Sequence, residues 1–570
     1  MCTGRCETTA FRVYFTHMFR AWLHDTLSGM HPGHLFDVLV PPDPAMGDYS
    51  VNLAFVLAKK EKKNPREVAQ TLCDALTAEG SDRIQRCEVA GPGFVNVFIR
   101  HEWLQAQFAH RHLPDVGHGE RVVIDCSAPN IAKPMHVGHL RSTIIGDALS
   151  RVYGALGYKA IRWNYLGDWG TQFGKLVAAF KRYDEPVASV DDLVRLYVRF
   201  HADAKDDPSL EDAGRAEFKK LEDGDAENRA LWHKFREISL KEYERTYALL
   251  NVSFEVYKGE SEYEPALAPL IERLRSAGIV TPSEGALVVN LDEFSLPVAL
   301  VRKSDGATLY LTRDIASLED RIATYRPAKA LYVVANEQAL HFEQLFAVVQ
   351  KMRLANLPEL VHVKFGLVLG ENGKKFSTRE GNAVPLADIL EEIISRAARV
   401  VRQKNPSLTD EEVAGIARTV GVGALKYNDL KQHPYSDIVF DWDAMLDLGG
   451  NSGPYLQYTY ARLASIAAKS GAVGNADRAA LTHPAERALM RHLLDYGDAV
   501  ATCARLYTLN ALALYLYELA EKANRFYEQV RVNDDDVPER KSARLQLVGA
   551  VMETLKHGLE VLGIGVLERI

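Results

Sequence analysis

His136-Val-Gly-His139 sets two imidazoles and a glycine where a polar turn gives way to the apolar-periodic residues Leu140, Ile144, Ile145, Ala148, Leu149 and Val152. A helix beginning there presents unpaired backbone N–H groups and the positive end of its dipole, both of which favour phosphate. Imidazoles can donate to phosphate oxygens, and Gly138 leaves room for a nucleoside to lie against the backbone. A second cluster, Gly370-Glu-Asn-Gly-Lys-Lys-Phe-Ser-Thr-Arg-Glu-Gly-Asn382, follows the apolar run Phe365 to Leu369. Its glycines would let Lys374, Lys375, Ser377 and Arg379 fold over a triphosphate and stabilise charge on transferring phosphoryl oxygens. Carboxylates form a third group: Asp125 ends an apolar run, and Tyr310 and Asp314 share a face if their segment is helical. Taken singly, each has a plainer reading: a capped helix start, a solvated basic loop, a surface carboxylate.

The elements that must position these residues are visible as periodicities. Arg121 to Cys126 is a short apolar run before a turn holding Pro129 and Pro134, so the HVGH segment sits in a strand–loop–helix unit. Further strands are expected at 158–163, 330–335 and 362–369, alternating with helices, which predicts a parallel sheet with crossover helices. Trp163-Asn-Tyr-Leu-Gly-Asp-Trp-Gly-Thr-Gln-Phe-Gly174 follows the second strand. It is expected at the same carboxyl edge as HVGH, as a substrate-facing loop rather than a packed turn. An insertion of about 178–300, with a charged helical stretch from Asp212 to Asn251, splits the sheet into halves. Before it, residues 1–112 read as a small α+β unit, with Asn64 capping a helix that starts at Pro65 and a strand from Phe94 to Ile99. Beyond about 400 the pattern is helical, with long segments at 484–506, 509–530 and 541–563. The organisation expected is an α/β, Rossmann-type parallel-sheet domain at 113–400, an N-terminal α+β domain at 1–112, a helical connection at 401–440 and an all-α domain at 441–570.

Composition narrows the class without naming a function. At 570 residues, 47% apolar and 25% charged, the chain reads as a multidomain globular enzyme. A net charge of −8 argues against coating nucleic acid non-specifically, though a local basic face could still bind RNA. The six cysteines, Cys2, Cys6, Cys73, Cys87, Cys126 and Cys503, are scattered without paired CxxC spacing, which suits reduced thiols of a cytoplasmic protein. No metal site is expected. No apolar run approaches the roughly 18 residues of a membrane span.

The HVGH turn resembles the His-Ile-Gly-His signature of class I aminoacyl-tRNA synthetases. Ala128-Pro-Asn-Ile-Ala-Lys-Pro-Met135 before it resembles the version found in the arginyl-tRNA synthetase family. Lys375-Phe-Ser-Thr-Arg379 is similar to the family's Lys-Met-Ser-Lys-Ser loop, with Phe376, Thr378 and Arg379 as departures. In arginyl enzymes a lysine just before the histidine motif is thought to replace the missing second lysine, and Lys133 stands there. Gly167-Asp-Trp-Gly-Thr-Gln172 matches the same pattern. The resemblance covers essentially the whole chain after the first ten residues. It implies an ATP-binding set of His136, Gly138, His139, Lys374 and Lys375, and catalytic roles for His136, His139, Lys133, Lys375, Ser377 and Arg379. Asp125, Ser127, Asn130, Tyr310, Asp314 and Gln338 would line an arginine pocket. Tyr310 and Asp314 would meet the guanidinium, and Asn130 and Gln338 the amino and carboxylate end. The N-terminal unit would grip the tRNA elbow through Phe94 and Asn96. In the helical domain Tyr458 and Arg462 would contact tRNA, with Tyr455 and Tyr460 either stacking on bases or packing in the core. The terminal Ile570 departs from the family's usual final methionine.

The implied reaction is ATP-dependent activation of L-arginine to arginyl-adenylate and transfer to the 3′-terminal adenosine of tRNA(Arg), with Mg2+ arriving with ATP. The expected enzyme is a cytoplasmic monomer with no membrane association and no editing site; bound tRNA is expected before activation. A small-molecule adenylyltransferase or ligase, a non-catalytic RNA-binding relative, and another amino-acid specificity on the same scaffold are the alternatives.

Overall fold

The structure, a computed structural model, describes residues 19–109, 113–370, 373, 384–470 and 474–569. The chain divides into two compact units. One runs to His118 and resumes at Asp447, apart from a short stretch at Ala155–Gly157; the other comprises Gly119–Gly154 and Tyr158–Leu446.

In the first unit, β1 (Val38–Leu39), β2 (Tyr49–Val51), β3 (Ile84–Ala90) and β4 (Phe94–Ile99) form an antiparallel sheet in the order β1-β2-β4-β3. Helices Leu53–Glu61 and Pro65–Glu79 precede β3. The second starts where Asn64 accepts from the Arg66 N–H and Pro65 occupies the first turn, which needs no donor there. Phe19, Leu23, Leu27, Leu57, Leu72 and Leu76 fill one core with the buried strand residues, and Leu494 from the C-terminal helices joins them. Those helices, Gly453–Lys469, Pro484–Leu493, Tyr496–Leu506, Asn510–Gln529 and Pro538–Val561, break at Asp495 where a continuous helix at 484–506 was expected. The break is where the two subdomains meet. Asp495 accepts from Tyr49 Oη and from Arg491 Nη1, both at 2.6 Å, and Arg487 Nη2 donates to Asp48 at 2.6 Å.

The second unit is built on a five-stranded, all-parallel sheet in the order β12-β11-β5-β6-β7. Its strands are β5 (Arg121–Asp125), β6 (Lys159–Leu166), β7 (Val256–Gly259), β11 (Lys329–Ala335) and β12 (Glu359–Phe365). Val122, Val123 and Ile124 are all fully buried, so helices cover both faces of the central strand. The expected interruption is helical from Thr171 to Leu249. The chain then returns to the sheet as β7 before a small antiparallel sheet of β8 (Thr281–Ser283), β9 (Ala286–Val289) and β10 (Ala299–Arg302). The sequence reading missed β7 because four residues on a half-covered edge leave no periodicity to detect. After β12, β13 (Val368–Leu369) pairs with β14 (Ile438–Val439), and helices Leu386–Lys404 and Asp410–Leu430 pack between them in sequence.

One buried ion pair joins these parts. Arg141, on the helix Val137–Ala155, makes three contacts under 3.3 Å to the Asp429 carboxylate through Nε and Nη2. Nη1 donates to the carbonyls of Gly366 (2.8 Å) and Ser436 (3.1 Å), and Nη2 to that of Pro434 (3.2 Å). Both side chains are buried. Asp429→Ala would leave an uncompensated guanidinium in the interior, so we expect a loss of about 3–5 kcal/mol in this unit. Urea unfolding followed by hydrogen exchange in the helix Val137–Ala155 measures it. The paired change Arg141→Met with Asp429→Leu should recover most of the loss.

Candidate active site and RNA-facing surface

The strand order reverses between β5 and β11, so a crevice opens at the carboxyl edge of the sheet between their exits. Asp125 closes β5, and the connection from Cys126 to His136 leads into the helix Val137–Ala155. Gln338 follows β11 in the turn Asn336–Gln338. The helix Tyr310–Tyr325 runs back to feed β11, which places its first turn, with Tyr310 and Asp314, at the same edge.

The two signature histidines cap their own helix. His139 Nδ1 accepts from the His136 N–H at 3.1 Å, and His136 Nδ1 accepts from the Gly138 N–H at 3.1 Å. Backbone N–H groups can only donate, so both rings carry their proton on Nε2 when neutral. Their centroids are 3.9 Å apart. Burial and the neighbouring His136 push His139 down to about 3, so it is a neutral donor throughout the physiological range. A Cβ on Gly138 would come within 2.9 Å of His136 Cε1, so the glycine is required for this ring placement. The plain reading of the motif as a capped helix start is therefore true as well; capping uses Nδ1, and the phosphate chemistry would use Nε2.

The connection between β5 and this helix is strained and held from outside. Ser127, Ala128 and Ala132 all have positive φ, at 73°, 49° and 63°. The insertion helix Ala226–Leu249 grips it at four-residue intervals. Ser239 Oγ accepts from the Ala132 N–H at 3.0 Å, Tyr243 Oη reaches the carbonyls of Asn130 (2.6 Å) and Lys133 (2.7 Å), and Tyr247 Oη lies 2.7 Å from Ser127 Oγ. Sequence reading assigned this helix to the insertion and gave these three residues no role; their spacing of four on one face was the available signal. Asn130 and Lys133 keep exposed side chains.

The segment Trp163 to Gly174 differs from the expected substrate-facing loop: Trp163–Leu166 end β6, Thr171–Gly174 begin the helix Thr171–Tyr183, and the residues between form a packed turn. Asp168 is fully buried and accepts from Ser261 N (2.9 Å), Ser261 Oγ (3.0 Å) and Arg236 Nε (3.2 Å). Trp169 packs edge-on against Phe218 and Trp232. Gly167 pairs with the first loop, donating to the Pro129 carbonyl and accepting from the Ile131 N–H, both at 3.1 Å. A Cβ on Gly167 would meet Asn130 Oδ1 at 2.2 Å.

The carboxylates gather on the other side of β5. Asp314 Oδ2 lies 2.6 Å from His341 Nε2, and Asp125 Oδ2 accepts from Arg321 Nη2 at 2.6 Å. Tyr310, at 66% exposure, opens toward solvent. A third carboxyl joins them that sequence reading did not single out: Glu260, immediately after the short strand β7. Burial, opposed by Arg313 and reinforced by Asp314 and Asp168, pushes Glu260 up to about 8.

Lys374, Lys375, Ser377 and Arg379 lie outside the described residues, but both flanks of their segment are placed. Before it, Leu367 N donates to Asp437 Oδ1 at 2.7 Å and β13 pairs with β14. After it, Leu386 N donates to the Met135 carbonyl at 2.8 Å and Pro385 bridges His136. The described residues on either side are therefore anchored, Leu369 in a strand pair and Pro385 at the HVGH turn.

In the other unit, Tyr458 (37% exposed) and Tyr527 flank the Arg462 guanidinium at 5.0 and 5.7 Å. They line a groove of about 520 Å³ with Lys469, Arg531 and Arg569. Tyr460 is core, and Tyr455 Oη accepts from Asn524 Nδ2 at 3.0 Å. Phe94 is half-buried against Phe55, whereas Asn96 is only 6% exposed and its Oδ1 accepts from Ser50 Oγ at 2.7 Å. Ile570 lies outside the described residues.

Comparisons with known proteins match nearly the whole length of the chain. Residues 104–442 match the class I tRNA synthetase (R) catalytic domain, 456–570 the DALR anticodon binding domain and 17–99 the arginyl tRNA synthetase N-terminal domain. The arginine–tRNA ligase of Clostridium botulinum is 40% identical over 543 residues, covering 93% of this chain and 95% of its own. That of Pseudomonas fluorescens is 40% identical over 546 residues, covering 92% and 94%. Among solved structures, the arginyl-tRNA synthetase of Plasmodium falciparum superposes with a TM-score of 0.83 at 27% identity, over 98% of this chain and 99% of that one. The Thermus thermophilus arginyl-tRNA synthetase gives 0.83 at 27% identity, over 96% and 98%. With its catalytic, N-terminal and C-terminal regions all matched in order, the chain belongs to the arginyl-tRNA synthetase family of class I aminoacyl-tRNA ligases.

Proposed function

We propose that this arginine–tRNA ligase performs both steps of its reaction at the crevice between β5 and β11, with the two sides of β5 dividing the work. The observation that carries the reading is the segregation of charge around β5. Imidazoles locked by backbone N–H groups, with the exposed Lys133, lie at the HVGH turn, and Asp125, Asp314 and Glu260 gather on the side facing helix Tyr310–Tyr325.

ATP would lie over Gly138, its phosphates meeting the Nε2–H groups of His136 and His139, Lys133, and Lys374, Lys375, Ser377 and Arg379 of the returning loop. Arginine would enter beside it, with Tyr310, Asp314 and Glu260 at its guanidinium and Asn130, Ser127 and Gln338 at its amino and carboxylate end. A guanidinium offers five donors in a plane and never deprotonates, so it calls for convergent carboxylates. The arginine carboxylate attacks the α-phosphorus, the bond to the β-phosphate bridging oxygen breaks, and pyrophosphate leaves. A ribose hydroxyl of the tRNA terminus, the 2′-hydroxyl in class I enzymes, then takes the arginyl group and releases AMP. Rate enhancement would come from positioning and from cations and donors aimed at developing phosphoryl charge. In this reading Mg2+ accompanies the triphosphate as part of the substrate, and bound tRNA precedes activation. The groove beside Tyr458, Arg462 and Tyr527 would hold unpaired bases of the anticodon loop. Phe94 would touch the tRNA elbow, with Asn96 supporting it from below. The enzyme would act as a cytoplasmic monomer. The free thiols of Cys73, Cys87, Cys126 and Cys503 suit a reducing compartment, and no helix among the described residues is long and apolar enough to cross a membrane.

Charging of total tRNA with each of the twenty labelled amino acids tests the assignment. Arginine alone should be taken, and Asp314→Ala should lower kcat/KM for arginine by roughly 10- to 100-fold through loss of a charged contact. Charging with another amino acid would keep the scaffold and overturn the pocket. Glu260 gives a pH signature: because the empty site holds it protonated below about 8, arginine binding must release a proton. The KM for arginine should fall as pH rises and level off above about 8, by up to about tenfold per unit on the acid side. That slope should vanish in Glu260→Gln. Tyr458→Ala should raise the KM for tRNA by roughly 5- to 100-fold while leaving those for ATP and arginine in place.

A further inference from the structure

Helix Tyr310–Tyr325 carries a second buried charge that the mechanism above leaves unused. Arg321 lies seven residues beyond Asp314, two turns along the same face, and is buried. Its Nη2 donates to Asp125 Oδ2 at 2.6 Å. The guanidinium carbon stands 4.7 Å from the Trp163 ring and 5.2 Å from that of Tyr332, so its flat faces are covered by aromatic surface. Arg321 Nε and Nη1 have no hydrogen-bond partner among the described residues.

Comparison with Arg141 shows what is unusual. Arg141 is equally buried, yet the fold gives bonds to its Nε, Nη1 and Nη2 from one carboxylate and three carbonyls. An arginine kept for stability is normally satisfied in this way, because an unpaired buried donor costs free energy. Arg321 is given one ion-pair partner among the described residues, and that partner is Asp125 at the carboxyl edge of the central strand. Burial raises the Asp125 carboxyl and Arg321 pulls it back, while Asp314, the other charged group acting on it, raises it further.

We propose that Arg321 is a positioning residue for amino-acid recognition: it holds one oxygen of Asp125 and so presents the other to the cationic substrate. The proposal rests on the reading that Asp125 lines the arginine pocket. It requires the internal guanidinium to act on arginine affinity and not on the phosphate side of β5.

Steady-state aminoacylation by the full-length enzyme, varying arginine and ATP separately, tests it with Arg321→Met, Arg321→Lys and Asp125→Asn. Arg321→Met should raise the KM for arginine roughly tenfold or more, as expected for losing a charged hydrogen bond. Its kcat and its KM for ATP should stay within about twofold, and Arg321→Lys should restore most of the arginine KM. An unchanged arginine KM in Arg321→Met, an equal rise in both KM values, or no rescue by lysine overturns the proposal. Asp125→Asn separates the two levels. If it leaves the arginine KM alone, the pocket reading itself fails; if it raises that KM while Arg321→Met does not, only the role of Arg321 fails. Should Arg321→Met not fold, Arg321→Gln takes its place with the same expectations. If neither folds, the residue is structural and the proposal falls.

Discussion

A buried arginine whose donors must all be satisfied organises the catalytic unit. Arg141 sits on the helix that HVGH begins, and its guanidinium can be paired only by bringing Asp429, Gly366, Pro434 and Ser436 to it. Those residues belong to the helix Asp410–Leu430, the exit of β12 and the segment leading to β14. One cation thus fixes the signature helix, the exit of β12 and the helical connection after it. Charge desolvation makes such an arrangement costly unless complete, which is why it specifies one geometry more than it adds stability.

Around that frame, the active-site connection is kept in a conformation that its own sequence does not favour. Three non-glycine residues in the left-handed region would each relax if released. Ser239, Tyr243 and Tyr247 bond the connection through backbone carbonyl, amide and hydroxyl groups, so the insertion serves as a brace for the site. The packed Asp168 turn supplies the second wall, clamped by Ser261 and Arg236. Rigid support of this kind is what catalysis by orientation and fixed dipoles requires.

The histidine pair shows how one short motif satisfies two demands. Nδ1 of each ring closes an orphan N–H of the first turn, and that fixes the proton on Nε2. The cap therefore decides the tautomer that a phosphate would meet. Since His139 stays neutral, it can offer a phosphate a hydrogen bond but no charge.

Much was legible in the sequence because the determining patterns are local. The strand–turn–helix around HVGH, the Asn64–Pro65 helix start, four of the five parallel strands and the helical C-terminal region follow from periodicity and capping within about twenty residues. Motif order then supplied the family. What stayed hidden depends on contacts between distant segments. β7 is a strand only because β6 offers it an edge, and Glu260 enters the site only because β7 ends there. Asp125 meets Arg321 across 196 positions, and Tyr247 finds Ser127 across 120. Whether Asp168 faces substrate or packs inward, and which of Tyr455, Tyr458 and Tyr460 reaches solvent, was likewise settled by tertiary packing. A side chain's type fixes the chemistry it can perform, but its burial, partner and protonation state belong to the surroundings the fold assembles.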